Sequence, residues 1–350
     1  MLDDYVTLGP SGLRVSRMAL GSFNFGGGRD WEIAPADAHA IIDRYLALGG
    51  NFIDSANIYG NGEAEAIIGD HFTSSSARDS VVIATKFTNH SGMGNSGRGD
   101  PNAGGAHRKS IIRSCETSLR RLKTDYLDLF WMHLWDKMTP IEETLRALDD
   151  LIAQGKLLHI GFSNVPAWKV AEAQMLARFR RRSPVIALQL QYSLLERNIE
   201  AELVPMAAEF GIAICPWSPL KSGALTGRFT RDTIDATSGG RAALAKRGLD
   251  ARGFAIVDAA VAIAKARGLT PAQVALAWLR DRPGVASIVL GADSIAELDE
   301  NAASATVELD GEATAELNAV SRPEFRYPID FVNRGAGAIN GGTRINGVKP

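Results

Sequence analysis

Four side chains of proton-handling type stand where short apolar runs end. Asp54 closes the run Phe52-Ile53, and Tyr59 follows a short turn later, just before Gly60. Lys86 ends the β-branched run 80–85 (SVVIAT), and His133 lies just beyond the apolar run 126–130. A carboxylate, a phenol, an ammonium and an imidazole are the groups of general acid–base chemistry. A phenol ordinarily ionises near pH 10, too high for efficient exchange at neutral pH, and a neighbouring ammonium favours the phenolate. Singly, each residue has an ordinary explanation: Asp54 can cap a helix, Tyr59 can pack, Lys86 can be solvated and His133 can be a structural hydrogen bonder. Their shared position after strands acquires meaning only if the elements around them converge.

Those elements follow one rhythm. Behind Tyr59-Gly60 the apolar spacing becomes helical, with Ala64, Ile67 and Ile68 on one face. Residues 5–8 and 13–16 flank the turn former Gly9-Pro10-Ser11-Gly12 and read as a β-hairpin. Short apolar runs follow at 18–21, 52–53, 80–85, 126–130, 157–161, 185–190, 212–215 and 287–290. Helical spacing separates them at 36–48, 64–69, 107–122, 140–153, 167–180, 199–210, 253–267 and 271–280, and again from Ser294. Nearly all-apolar strands suit a parallel sheet buried on both faces. Strict alternation over this length predicts a closed (β/α)8 TIM barrel with an N-terminal β-hairpin and extra C-terminal helices and loops. In a barrel the four residues gather at the C-terminal mouth. The expected organisation is a single unit over 1–334 and a Gly/Asn-rich tail over 335–350, mobile in part. The segment 221–252, with Thr237-Ser238-Gly239-Gly240 and mixed charge, reads as irregular.

Composition narrows the function. The chain has 350 residues and a formal net charge of −2, with no basic run or acidic tail, which argues against a nucleic-acid or membrane-surface role. The opening MLDDYVTLGP lacks the basic and apolar regions of a signal peptide, and no apolar run reaches the length of a membrane span. Cys115 and Cys215 are far apart and outside any metal-type pattern, so no metal is expected and a reducing cytoplasm is the expected location. Oligomeric state leaves no signal.

The ordered set of motifs resembles the aldo-keto reductase superfamily. It comprises Asn51-Phe52-Ile53-Asp54 with Tyr59-Gly60, Thr85-Lys86, Asp128-Leu129-Phe130 with His133, and Gly161-Phe162-Ser163-Asn164. It continues with Gln189, Tyr192-Ser193, Trp217-Ser218-Pro219-Leu220, Gly223, Leu225-Thr226-Gly227, Gly291 and Glu300-Asn301. The resemblance implies hydride transfer between a nicotinamide cofactor and an aldehyde, a ketone or the matching alcohol. Tyr59 is then the general acid/base, Lys86 lowers its pKa, Asp54 compensates Lys86, and neutral His133 orients the carbonyl oxygen. It also implies that Ser163, Asn164 and Gln189 hold the carboxamide and that Trp217 stacks on the nicotinamide. Ser218, Leu220 and Ser222 would follow the pyrophosphate, and Glu300 and Asn301 would meet the adenine. Gly21, Ser22, Phe23, Asp54, Gly291, Asp293 and Glu297 complete the expected cofactor set.

Asp293 and Glu297 stand where NADP-preferring relatives carry cations for the 2′-phosphate. One like-charge contact at about 4 Å costs roughly 1 kcal/mol in water and roughly 4 kcal/mol at an effective dielectric near 20. NAD is therefore expected over NADP, by roughly tenfold to several hundredfold, although Lys221 and Arg228 pull the other way. Phe25, Trp31, Phe87 and Trp135 suggest an aromatic-rimmed substrate pocket for a ring such as a sugar or a polycyclic alcohol. The superfamily also includes nicotinamide-binding regulatory subunits resembling potassium-channel β subunits, the other function class to weigh. Two patterns mislead. Gly92-Met93-Gly94-Asn95-Ser96-Gly97 has dinucleotide-type glycine spacing but leads into Arg98-Gly99-Asp100-Pro101 and no helix, so a lid or substrate loop is expected there. A short-chain dehydrogenase carries Tyr and Lys on one helical turn, whereas Tyr59 and Lys86 are far apart.

Overall fold

The computed structural model describes all residues except 30, 74–76, 91–98, 235–239, 340 and 346–350. The glycine-rich stretch 92–97 and the start of the Arg98-Gly99-Asp100 tripeptide therefore lie outside the described residues.

Two short strands, β1 (Tyr5–Thr7) and β2 (Arg14–Ser16), form an antiparallel hairpin. The alternation then begins with β3 (Met18–Gly21), α1 (Pro35–Ala47), β4 (Phe52–Asp54) and α2 (Glu63–Thr73). It continues through β5 (Val82–Phe87), α3 (Arg108–Leu122), β6 (Leu127–Met132), α4 (Ile141–Ala153), β7 (Leu157–Ser163) and α5 (Ala167–Arg180). Next come β8 (Val185–Gln191), α6 (Leu203–Phe210), β9 (Ala213–Trp217), α7 (Gly240–Lys246), α8 (Ala251–Arg267) and α9 (Pro271–Arg280). The chain ends with β10 (Ile288–Leu290), α10 (Ile295–Ala303), α11 (Gly311–Val320) and α12 (Ile329–Ile339).

Strands β3 to β10 make one parallel eight-stranded sheet in the order β10-β3-β4-β5-β6-β7-β8-β9. Ile214 brings the ring nearly to closure, donating its N–H to Gly284 O at 2.8 Å and accepting the Ala286 N–H on its carbonyl at 2.9 Å. This is the expected (β/α)8 architecture. Phe52, Ala84, Leu129, Trp131, Ala187 and Cys215 fill the barrel together with Leu8 and Val15 of the hairpin. The hairpin turn presses on the N-terminal strand ends: a Cβ at Gly9 would sit 2.0 Å from Ile186 O. One end of the barrel is thus plugged, and the opposite mouth is left for chemistry. The second apolar shell joins the outer strand faces to the helices, with Ile83, Phe130, Ile160, Leu188 and Ile214 packed among Ile111, Leu148 and Val170.

Local departures from expectation have local causes. The helix expected over 199–210 is a turn, Asn198–Glu200, followed by α6. Pro205 fits the first turn of α6, but in a longer helix its ring would meet the carbonyl four residues back. The segment 221–252 is not wholly irregular: it holds the turn Ala224–Thr226 and α7, whose Arg-Ala-Ala-Leu-Ala run is strongly helix-forming. Asp250 then caps α8 by accepting Gly253 N at 2.7 Å. Helix α12 runs across Arg334, where the tail was expected to begin. Among the described residues, no helix is long and apolar enough to cross a membrane.

Candidate active site

Every barrel strand delivers a functional candidate at its C-terminal end. Gly21 and Asp54 finish β3 and β4, Lys86 is the penultimate residue of β5, and His133 follows β6 directly. Ser163 and Trp217 finish β7 and β9, Gln189 lies near the end of β8, and Gly291 follows β10. Lys86 and Ser163 are inside their strands, not after them as the apolar runs suggested. A strand buried on both faces can carry an inward polar residue without changing its backbone pairing.

The floor is a buried ion pair. Lys86 and Asp54 are both buried, and Lys86 Nζ bonds Asp54 Oδ2 and gives Ser55 O a second bond at 2.6 Å. Gln189 Nε2 donates to Asp54 Oδ1 at 2.9 Å, so both carboxylate oxygens have donors. Asp54 also raises the Lys86 pKa against the opposing pull of burial, and the ammonium stays charged. Ser22 closes the floor from β3, with its N and Oγ on Asp54 O at 2.9 and 3.1 Å.

Tyr59 opens a turn that only particular residues permit. Gly60, Asn61 and Gly62 all have positive φ (53°, 56° and 97°). A Cβ at Gly62 would lie 2.1 Å from Arg121 Cζ, so the glycine lets the guanidinium dock. Arg121 gives Nη1 to Asn57 O and to Glu65 Oε2, each at 3.0 Å, and Nη2 to Asn61 O at 3.4 Å. Fully buried Glu65 takes Thr85 Oγ1 at 2.6 Å, which ties this clamp to the residue before Lys86. The Tyr59 ring centre is 5.0 Å from Lys86 Nζ and 6.0 Å from the His133 ring. Burial raises the phenol pKa above its usual value; the Lys86 ammonium lowers it and Asp54 raises it again. Lys86 lowers the phenol pKa as expected, but burial is the larger effect and leaves the net direction upward.

His133 is held at three points. Its backbone N–H goes to Phe87 O at 3.1 Å, its carbonyl takes Asn164 Nδ2 at 3.0 Å, and Asn89 Nδ2 sits 2.9 Å from its Nδ1. Burial first and Lys86 second push its pKa down to about 3, so the ring is neutral at physiological pH.

The expected cofactor residues line the same mouth. Asn164, in the left-handed region at φ 54°, also bonds Ser163 Oγ at 2.9 Å and takes Trp217 Nε1 at 3.2 Å. Its amide therefore fixes the indole edge, while Gln189 is committed to Asp54. Ser218 and Ser222 have φ 53° and 55° in the loop after β9, with half-buried Leu220 between them. Gly291 and Glu300 are exposed. Asp293 Oδ1 takes Asn24 Nδ2 at 2.9 Å, and Glu297 Oε2 takes Asp293 N at 2.9 Å. Ser294 caps α10, accepting Glu297 N at 3.2 Å. Asn301 is buried, and its amide nitrogen has no hydrogen-bond partner among the described residues. A buried, unsatisfied donor in that position is what a purine ring would satisfy, so the residues fit a dinucleotide.

The aromatic rim needs correction. Phe25 and Phe87 are fully buried in the outer core, Phe87 against Phe130 at 4.7 Å, and neither reaches the mouth. Phe23, expected at the cofactor, is exposed; it stacks on Trp31 at 4.8 Å and meets the Tyr59 ring edge-on at 5.1 Å. Trp135 pairs with Trp168 at 5.4 Å. Sequence reasoning missed Asn89, Arg121 and Glu65. For the clamp, the one available signal was the Gly60-Asn61-Gly62 run, which demands a partner for a left-handed turn.

The aldo/keto reductase family matches residues 17–322. A norsolorinic acid reductase of Emericella nidulans is 32% identical over 327 residues, covering 92% of this chain and 82% of its own. An aryl-alcohol dehydrogenase of Pestalotiopsis microspora is 33% identical over 350 residues, covering 99% and 89%. An uncharacterized oxidoreductase of Bacillus subtilis is 35% identical over 323 residues, covering 91% and 95%. A plugged parallel barrel, a buried Asp–Lys pair beside a tyrosine and a neutral histidine, and a match across most of the chain together make this protein a member of the aldo/keto reductase family, oxidoreductases that act on carbonyl and alcohol groups with a nicotinamide cofactor.

Proposed function

We propose that this protein reduces an aromatic aldehyde or ketone, or oxidises the matching alcohol, with Tyr59 as general acid/base and NAD as the preferred cofactor. The observation that carries the reading is the Asp54–Lys86 pair packed against the Tyr59 ring, with the His133 ring edge-on to it 6.0 Å away. A nicotinamide held there would supply or accept the hydride. The residues of this chain handle the oxygen. Neutral His133 donates a hydrogen bond to the carbonyl oxygen and orients it. Tyr59, protonated because burial raises its pKa, gives the proton as charge develops on that oxygen. Lys86 stabilises the resulting phenolate, and Asp54 with Gln189 keeps the buried ammonium in place. In the oxidative direction the same groups work in reverse.

Trp217, held by Asn164, would be the stacking surface for the nicotinamide. Ser163, Asn164 and Gln189 would hold its carboxamide, Ser218, Leu220 and Ser222 would line the pyrophosphate path, and Glu300 and Asn301 would meet the adenine. The preference for NAD rests on Asp293 and Glu297, whose carboxylates repel a 2′-phosphate and can accept from a ribose hydroxyl. It is supported by Lys221, whose ammonium is 3.8 Å from Glu196 and is partly neutralised there. The aryl preference is supported by the Phe23–Trp31 stack beside Tyr59 and by relatives named for norsolorinic acid and aryl alcohols. Purified protein assayed with each cofactor against nitrobenzaldehydes, aryl alcohols and sugar aldehydes tests the proposal. Aryl turnover with NADH ahead of NADPH is expected. Cofactor binding with no carbonyl turnover would overturn the catalytic reading, and a sugar preference would overturn the aryl assignment.

A further inference from the structure

Just past β5 the backbone is under strain. Thr88 has φ 96°, a value that a β-branched residue seldom adopts, and its hydroxyl is buried without a partner among the described residues. The strained residue is pinned, since Gly105 N reaches Thr88 O at 2.7 Å. What the bend achieves is the placement of the next side chain. Asn89 turns across the mouth, and its Nδ2 reaches His133 Nδ1 at 2.9 Å. Both partners are fixed from behind: Asn57 Nδ2, from the Tyr59 loop, approaches Asn89 O at 3.4 Å, and the His133 backbone is held by Phe87 and Asn164.

We propose that Asn89 is a positioning residue that sets the tautomer of His133. A neutral imidazole carries one ring proton, on Nδ1 or Nε2. An amide N–H aimed at Nδ1 needs a lone pair there, so the ring proton is driven to Nε2. A proton on Nδ1 would oppose two donors at hydrogen-bond distance and forfeit the bond. The same contact disfavours the imidazolium, which has donors on both nitrogens. Among the described residues, no carboxylate contacts the ring. The titratable groups facing His133 are Lys86 from β5 and Tyr59 from the loop after β4, while Asn164 from the β7 side is uncharged. Both the amide and the ammonium therefore favour a neutral ring whose Nε2–H is free to donate. The inference rests on the reading of His133 as the donor to the substrate oxygen, but its structural half can be measured without substrate.

The experiment is 15N NMR of histidine-labelled protein, with the His133 signals assigned by their loss in H133Q. The wild type is expected to show the Nε2–H pattern, unchanged from about pH 8 down to about pH 5. In N89D a carboxylate replaces the amide donor. It accepts from Nδ1–H, moves the ring proton to that nitrogen and raises the affinity for a second. The N89D spectrum should switch to Nδ1–H at high pH and titrate to the imidazolium as pH falls. Its carbonyl-reduction kcat should fall by about tenfold or more at pH 8, with KM little changed, and recover toward acid pH as Nε2 regains its proton. N89A, which removes the donor without adding charge, should show both tautomers; it serves as the readout if N89D does not fold. An Nδ1–H pattern in the wild type would mean that the amide presents its oxygen, and would overturn the proposal. An unchanged Nε2–H pattern in both variants would overturn it equally. Failure of the wild type to turn over any carbonyl would sink the catalytic reading and leave the tautomer assignment standing.

Discussion

At the scale of single residues, the site is governed by how burial competes with one ammonium. Tyr59 is pushed above its ordinary pKa by desolvation even though Lys86 pulls the other way. Reduction needs the protonated phenol, so its kcat/KM should be level through neutrality and fall only at alkaline pH. Alcohol oxidation needs the phenolate and should climb across the same alkaline range; an oxidation rate independent of pH would contradict this assignment. His133→Ala should lower kcat by about a hundredfold while the folded protein survives, because the ring contributes one oriented donor. A collapse of thermal stability with unchanged turnover per folded molecule would make His133 a structural residue. Asp54, Tyr59, Lys86 and His133 were legible in the sequence because each ends or follows an apolar run, and parallel strands end at one mouth. The facing of Phe25 and Phe87 was not legible. Val82–Phe87 is buried at every position, so no alternation marks Lys86 as inward and Phe87 as turned toward the helices.

At the scale of elements, the turn carrying Tyr59 is not self-supporting. Three consecutive positive-φ residues are held by Arg121 of α3, which is itself oriented by Glu65 of α2. Arg121→Met should leave the Glu65 carboxylate buried and unpaired, at a cost of about 3 kcal/mol, and should loosen the Tyr59 turn. Thermal unfolding and turnover, measured on the same preparation, should both fall, and an unchanged Tm would show that the clamp is incidental. The sequence displayed the Gly60-Asn61-Gly62 turn but not its partner, because a contact between α3 and a loop before α2 leaves no periodic trace. The break before α6 was present in Pro205, and α7 in its alanine-rich run. Both were outweighed by neighbouring signals: apolar spacing in the first case, Thr-Ser-Gly-Gly in the second.

At the scale of the whole molecule, one barrel end is plugged by the hairpin and the other collects the chemistry, so stability and function are separable by face. Acid stability follows from the half-buried histidines. His133 is held down to about 3, and His71 and His159 are also lowered by burial, so the unfolded chain binds more protons than the folded one below about pH 6.5. Stability should therefore be intact above about pH 6.5 and decline as pH falls toward about 3. Urea midpoints at several pH values would check the sign, and a midpoint that rises on acidification would contradict it. Cofactor choice is also a property of the assembled mouth. Asp293→Arg with Glu297→Arg should move the NAD/NADP ratio toward NADP by about tenfold or more, read from kcat/KM for each cofactor. An unmodified protein that already prefers NADP would point instead to Lys221 as the phosphate ligand. The central claim is that Tyr59 acts on the substrate oxygen of a nicotinamide-dependent carbonyl reaction. It is tested most directly by comparing the wild type with Tyr59→Phe for NADH binding, by fluorescence titration, and for nitrobenzaldehyde reduction. The expected result is cofactor affinity within about twofold and turnover lower by about 10²–10⁴-fold. Undiminished turnover in the phenylalanine variant would contradict the account.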